Sequence, residues 1–320
     1  MGNTYRAVEI SAPGTFRAVE RTVTTPGPGQ VRIRVEACGV CHSDAATVEA
    51  QFPGLSYPRV PGHEAIGRIE EIGPGVTIWK VGQRVGVGFF GGEDGTCVAC
   101  RRGESAYCQN PIMTGITTDG GYAEMMIAEA RALVLIPDEL KSEDAAPLVC
   151  AGVTTFNALR NAGRAGDTVA IQGIGGLGHL GVQFARKLGF RTVAIGGGPD
   201  KEHLANKLGA HIYVDAKAED AASPRECIDA GRGHGQQRGG AGVDRHHPGA
   251  QFDGRGLGGQ VTQLADRVVG VRLCDQGDVD AHLLQLDDLF GRFLEAAGVA
   301  QKDPCPHGGV ISPTGWLGAM

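Results

Sequence analysis

Along the first 150 residues, apolar positions alternate with polar ones in short runs. "YRAVEI", "QVRIRVEACGV", "EAIGRIEEIG", "GQRVGVG" and "GYAEMMIA" cluster β-formers between glycines and prolines, the pattern of strands broken by turns. "TPGPGQVRIRV" and "GPGVTIWKVGQRV" each read as a turn leading into a strand. Residues 5 to about 150 therefore predict a small barrel-like β domain. After about 150 the period changes. "DTVAIQG" is a short apolar strand, Leu177, Leu180, Phe184 and Leu188 then fall at helical spacing, and "FRTVAIG" returns to strand. Asp200 is the expected cap of a second helix through "KEHLANKLG", which Gly209 ends before "HIYVD" supplies a third strand. Residues 167 to 215 thus spell β-α-β-α-β, which requires parallel strands with right-handed crossovers, the architecture of a doubly wound sheet.

From about 221 to 256 neither period persists, and the Gly, Arg and His content reads as a flexible polar segment. Beyond it, "VTQLADRVVGVRL" suggests a strand and "AHLLQLDDLFGRFLEAAG" an amphipathic helix. The chain carries no convincing internal repeat.

A length of 320 residues suits two domains and makes a cleft between them the natural place for chemistry. The net charge of -6 argues against a broad surface for nucleic acid or anionic membrane, leaving a small molecule as the expected partner. No apolar run has the length to span a bilayer, and "MGNTYRAVEI" lacks a charged start followed by an apolar signal core. Nine cysteines, clustered at 38/41 and 97/100/108, suit intracellular thiols or metal ligands better than a disulfide framework, so a cytoplasmic location is expected.

"CGVCHSD" (38–44) lies in a strand-like segment, with "GHEAIG" (62–67) close behind. Catalytic zinc takes three protein donors, thiolate and imidazole preferred, and keeps a fourth position open. Cys41, His63 and Cys150 of "PLVCAGVTTFNAL" form such a Cys2His set, whereas Cys38 reads as a small buried hydrophobe. Asp44 and Glu64 stand beside these ligands, where a carboxylate accepts the spare imidazole proton or adjusts the ion from behind. In "EDGTCVACRRGESAYC", Cys97, Cys100 and Cys108 suit a closed structural zinc site with Asp94 at the fourth position, or with Asp94 as a solvated loop acid.

"GIGGLG" satisfies G-x-G-x-x-G through Gly173, Gly175 and Gly178, and it follows a strand and opens a helix, the context in which backbone approaches a pyrophosphate. At the end of the next strand Gly196 stands where an acid would bind the ribose of NAD. Its loss removes repulsion of a ribose phosphate, so NADP is as compatible as NAD, and Lys201 either reaches that phosphate or is an exposed first-turn residue.

In order and separation, "CGVCHSD", "GHEAIG", the 94–108 loop, "CAGVTTFNAL" and "GIGGLGHLGVQFARKLG" resemble the zinc-dependent alcohol dehydrogenases of the medium-chain dehydrogenase/reductase family. The resemblance covers about residues 5–218. It implies an α/β plus β chain, with a GroES-like β-barrel (1–150) joined to a Rossmann domain (151–290, clear only to about 218, its second half incomplete) and an atypical segment over 291–320. It implies catalytic zinc on Cys41, His63 and Cys150, structural zinc on Asp94, Cys97, Cys100 and Cys108, and NAD or NADP along Gly173, Gly175, Gly176, Leu177 and Gly178. Ser43 would take the alcohol proton, Asp44 hold His63, and Glu64 stand near the ion. His42 would lie near the pyrophosphate and Thr154 near the nicotinamide. The substrate class is a small alcohol or aldehyde, and relatives form homo-oligomers.

Three departures stand out. Ala46 replaces a histidine that many relatives place at the outer end of a proton relay. Asp94 replaces the usual first structural cysteine. The likeness also fades near Ala218, where a break in the reading frame near 220 is expected, genuine divergence being the alternative. A non-catalytic zinc or nucleotide-binding remnant and a redox-sensing thiol protein are the competing readings.

Overall fold

The computed structural model describes residues 3–52, 54–160, 162–218, 261–264, 268–271 and 310–311. The chain divides into two units, Met1–Val153 with Asp280–Met320, and Thr154–Val279.

In the first unit, strands β1 (Thr4–Ala12) and β2 (Thr15–Thr22) form an antiparallel hairpin. Strand β3 (Gln30–Gly39) is followed by a short helix α1 (His42–Val48), then by β4 (Ala65–Ile72) and β5 (Arg84–Val87). After β6 (Phe90–Gly92) come α2 (Val98–Arg101), β7 (Ile112–Met113), β8 (Met125–Glu129) and β9 (Val134–Leu135), then α3 (Ser142–Ala145). Helix α4 (Ala151–Arg160) follows.

The alternation along β3 is the reason it forms the centre of the barrel. Val31, Ile33 and Val35 point inward and are buried with Val8, Val60, Ile69, Val85, Val87 and Met126, each contributing about 1.5–3 kcal/mol through burial. Strands β4 and β8 flank β3 antiparallel, and the β3–β4 register pairs Val31 with Ile72 and Cys38 with Ala65. That register sets the end of β3 beside the start of β4. The Gly39 N–H donates to the Glu64 carbonyl at 3.0 Å.

The sequence reads "CGVCHSD" as strand-like, but the strand stops at Gly39 and α1 begins at His42. The cause is local: the Cys41 backbone N–H donates to the Asp44 carboxylate at 2.9 Å, closing the first helical turn as an acid three residues inside a helix does.

The second unit holds β10 (Thr168–Gln172), α5 (Gly178–Lys187), β11 (Arg191–Gly196), α6 (Asp200–Leu208) and β12 (Ile212–Asp215). The three strands run parallel in the order β12-β11-β10. Two further strands extend the sheet: β14 (Val268–Val271) lies parallel to β10, and β13 (Val261–Leu264) pairs antiparallel with β14. The segment read as one strand, 261–273, therefore contributes two, and the outer edge of β10 is paired.

Two details of this unit differ from the sequence reading. The residues of α5 that are buried outright are Gly178, Gly181, Val182 and Ala185, while Leu177, Phe184 and Leu188 are partly buried along the flank. Small side chains let the helix axis approach the sheet, so the leucine period marks the rim of the contact. Asp200 lies inside α6 as its first residue, Pro199 holds the cap position, and no side chain caps this end. Gly209 closes α6 with φ 104°.

Strand β15 (Val310–Ile311) returns to the first unit and pairs antiparallel with Gly39 and Cys38 of β3. The expected polar segment over 221–256, the frame break near 220 and the helix over 281–298 lie outside the described residues, as does 291–320 apart from β15. Among the described residues, no helix is long and apolar enough to cross a membrane.

Candidate functional site

One sulfur, one imidazole nitrogen, one carboxylate oxygen and a second sulfur, from Cys41, His63, Glu64 and Cys150, lie within 4.8 Å of one another in the first unit. Cys41 sits between β3 and α1, His63 and Glu64 just before β4, and Cys150 just before α4. The register of β3 on β4 and the turn into α1 bring the first three together. The two sulfurs are 3.9 Å apart, far beyond a disulfide but close to the roughly 3.8 Å that two thiolates show on one tetrahedral zinc with bonds of about 2.3 Å.

His63 is buried, and its two nitrogens differ. Nδ1 lies 3.1 Å from Asp44 Oδ1, whereas Nε2 is buried with no hydrogen-bond partner. An orphaned imidazole nitrogen costs free energy in a protein interior, and a cation between the sulfurs would remove that cost. The donors present therefore fit zinc. Asp44 Oδ2 accepts from the Cys41 N–H at 2.9 Å and from the Tyr122 hydroxyl at 2.7 Å. Phe89 meets the imidazole edge-on, with centroids 5.2 Å apart.

The electrostatics follow from burial and charge at close range. The hydrogen bond from Cys150 holds the Cys41 thiol well below the usual cysteine range against the opposing effect of burial, with further help from His63. Its partner Cys150 is pushed up by that same bond and by burial. Burial pulls His63 down, but the Asp44 carboxylate and the Cys41 sulfur outweigh it and hold the imidazole well above the ordinary histidine range. Burial, then the Cys41 charge, pushes Glu64 up to about 8. Ligation of a metal releases protons from such groups.

His42 and Ser43 open α1 beside this set, His42 exposed and Ser43 half-buried. Cys38 is buried in the barrel core. Sequence reasoning missed Tyr122, which lies 78 residues from Asp44 and reaches it only through the fold.

Asp94, Cys97, Cys100 and Cys108 form a second group whose donor atoms also lie within 4.8 Å of one another. Cys97 and Cys100 bracket the start of α2 with sulfurs 3.4 Å apart. Asp94 Oδ1 accepts from the Thr96 and Cys97 N–H groups at 2.8 and 3.0 Å, and Asn110 Nδ2 donates to Asp94 Oδ2 at 2.8 Å. The Cys97 N–H, then Asn110 and the Thr96 N–H, hold the Asp94 carboxyl well below the usual carboxylate range. Desolvation, then Cys97, pushes the Cys100 thiol up to about 12. Three sulfurs and a carboxylate match a closed tetrahedral zinc site. Asn110 is a second residue that sequence reasoning missed, although it stands only two positions after Cys108.

In the second unit β10 ends at Gln172, Gly173 takes φ 86°, and α5 begins at Gly178. A Cβ at Gly178 would stand 1.7 Å from the Gly173 carbonyl oxygen, so the turn closes only with glycine there. Gly176 faces open space, and Leu177 holds the cap position of α5. The Gly175 carbonyl accepts from His179 Nδ1 at 2.9 Å. This strand-turn-helix leaves the α5 N-terminus able to receive a pyrophosphate. Thr154 is exposed on α4, and Lys201 is exposed on the first turn of α6.

At Gly196 a Cβ would come within 2.7 Å of the Tyr213 hydroxyl, which instead donates to the Gly198 carbonyl at 2.7 Å. An acid at this position would collide with Tyr213. The Lys217 Cε lies 3.0 Å from the corresponding position on Gly197, a cation near this loop that the sequence reading did not single out.

A GroES-like barrel carrying two thiol-rich groups that could hold a metal, and a Rossmann sheet with a glycine turn, is the arrangement of the medium-chain dehydrogenase/reductase class. Residues 27–138 match the alcohol dehydrogenase GroES-like domain. The chain is 48% identical over 216 residues to the alcohol dehydrogenase patD of Aspergillus clavatus, covering 67% of this chain and 55% of that protein. It thus spans little more than half the length of that relative. Acetophenone reductase from Geotrichum candidum, solved in complex with NAD, superposes with a TM-score of 0.61 at 30% identity over 70% of this chain and 67% of its own. CAD from Helicobacter pylori, solved in complex with NADP(H), gives a TM-score of 0.60 at 27% identity over 67% of this chain and 65% of its own. The chain belongs to the zinc-dependent alcohol dehydrogenases of the medium-chain dehydrogenase/reductase family.

Proposed function

We propose that the chain is an oxidoreductase that moves a hydride between a small alcohol or aldehyde and NAD(P), with zinc at Cys41, His63 and Cys150. One observation carries this reading: two sulfurs 3.9 Å apart converge with a buried imidazole whose Nε2 has no partner. When bound there, zinc supplies a Lewis acid that acidifies an alcohol hydroxyl or polarises a carbonyl, and NAD(P) supplies the hydride acceptor or donor.

The chain's own residues do the rest. The thiolates of Cys41 and Cys150 and His63 Nε2 hold the ion, while Asp44, itself held by Tyr122, fixes the imidazole through Nδ1. Glu64 lies close enough to answer changes in charge at the ion. Ser43 takes the proton from the alcohol, and Ala46 leaves onward release to water or to the cofactor ribose. By the family resemblance, His42 would lie near the pyrophosphate and Thr154 near the nicotinamide. The backbone from Gly173 through Gly175, Gly176 and Leu177 to Gly178 would carry the pyrophosphate, and Lys201 would reach the ribose phosphate of NADP, which is accommodated as well as NAD because Gly196 offers no carboxylate.

A structural zinc on Asp94, Cys97, Cys100 and Cys108 fixes the loop after β6. The catalytic part spans residues 1–150 and the dinucleotide-binding part 151–290, with 291–320 an atypical end, in a cytoplasmic protein; the family resemblance implies homo-oligomers, and the departure of the last third of the chain from the family weighs against them.

A second reading, a zinc- and nucleotide-binding protein without turnover, is favoured by the span of the likeness, which covers 67% of the chain. Purified protein assayed with primary alcohols and both cofactors separates the two. Alcohol-dependent reduction of NAD(P)+, abolished in Cys41→Ala and His63→Ala, is the expected result. Zinc and cofactor binding without reduction would establish the second reading.

A further inference from the structure

We propose that Asn110 is a positioning residue for the second metal centre, fixing the one carboxylate among three sulfurs and thereby setting how tightly that centre holds zinc. The inference rests on the reading of Asp94, Cys97, Cys100 and Cys108 as a zinc site.

A thiolate presents a single donor atom. A carboxylate presents two oxygens and an additional rotation about χ2, so its useful orientation has to be held by something else. Around Asp94 each oxygen has its own restraint. Oδ1 accepts from the Thr96 and Cys97 N–H groups, which belong to the turn leading into α2. Oδ2 accepts from Asn110 Nδ2 at 2.8 Å. Oδ1 has both lone pairs engaged by the two N–H groups, whereas Oδ2 keeps one beside the Asn110 bond, and rotation of the group would break bonds at both ends.

Asn110 touches a second donor as well. Its backbone N–H lies 3.4 Å from the Cys108 sulfur, matched on the other side by the Asp94 N–H, also at 3.4 Å. One residue therefore links the carboxylate to the most buried of the three sulfurs. A zinc ion with three thiolates and a carboxylate is a net anion, which N–H donors to the ligands stabilise. Loss of such supporting donors typically weakens metal affinity by about 10–100-fold.

The test uses the full chain carrying Cys41→Ala, so that only the second centre retains its metal. In that background Asn110→Ala, Asn110→Gln and Asp94→Ala are compared. The readouts are zinc per chain by mass spectrometry, zinc affinity by competition with a chromogenic chelator, and the visible absorption of the cobalt(II)-substituted protein. Asn110→Ala should bind zinc about 10-fold or more weaker with a changed cobalt spectrum, and Asn110→Gln, which keeps the amide, should recover part of the loss.

Unchanged affinity in Asn110→Ala, alongside a large loss in Asp94→Ala, would overturn the role of Asn110 and leave the zinc reading intact. Unchanged affinity in both variants would overturn the carboxylate ligand and this inference with it. Should Asn110→Ala not fold, Asn110→Ser is judged by the same criteria.

Discussion

Single residues decide the first centre through what they hold in place. Asp44 is buried between the His63 imidazole, the Cys41 N–H and the Tyr122 hydroxyl. Removing one donor leaves a buried carboxylate short of a partner, and hydrogen bonds to charged groups are worth about 1.5–3 kcal/mol. Tyr122→Phe is therefore expected to lower the stability of the chain by about that amount, read as a shift of the urea unfolding midpoint. An unchanged midpoint would show that the hydroxyl contributes nothing there. Cys97, Cys100 and Cys108, which lie within twelve residues, could be read from local spacing, whereas Cys41, His63 and Cys150 were legible only from their donor types and the motifs around them, Cys150 standing 109 residues from Cys41. Tyr122 could not be read this way, because only the register of β3 against its neighbours carries it to Asp44.

At the scale of elements, the strands were legible because alternation survives wherever one face is buried, as along β3. Helix α1 was not, since seven residues give too little periodicity and cysteine is not among the usual caps. The stripe of α5 was legible only at its rim, because the closest packing is made by Gly181 and Ala185, which carry little hydrophobic signal. The loop after β11 is tied to the end of β12 by Asp215, whose Oδ1 accepts from the Gly198 and Lys217 N–H groups at 2.7 and 2.9 Å. The Gly198 N–H, then that of Lys217, holds its carboxyl below the usual carboxylate range. With the folded value depressed, the stabilising contribution is complete above the unfolded value of about 3.9 and is lost as pH falls through the folded one. Asp215→Asn should therefore flatten the fall in unfolding midpoint between pH 5 and the acid limit of folding. Superimposable pH profiles for the two proteins would refute this.

At the scale of the whole molecule, the chain is two units with separate cores. The barrel of the first closes around β3, and the parallel sheet of the second is continued past β10 by β14 and β13. Both metal-ligand groups belong to the first unit. Residues 219–260 carry no period in their composition, so the strand expected over 261–273 could not be placed in the second sheet from sequence, and only the strands up to β12 could. The central claim concerns the first unit alone: Cys41, His63 and Cys150 hold an ion that is independent of the one on Asp94, Cys97, Cys100 and Cys108. Zinc content per chain, measured on purified protein after dialysis, tests it most directly. Two ions per chain, falling to one in both Cys41→Ala and His63→Ala, is the predicted result, and the same zinc content in the parent and these two variants would contradict it.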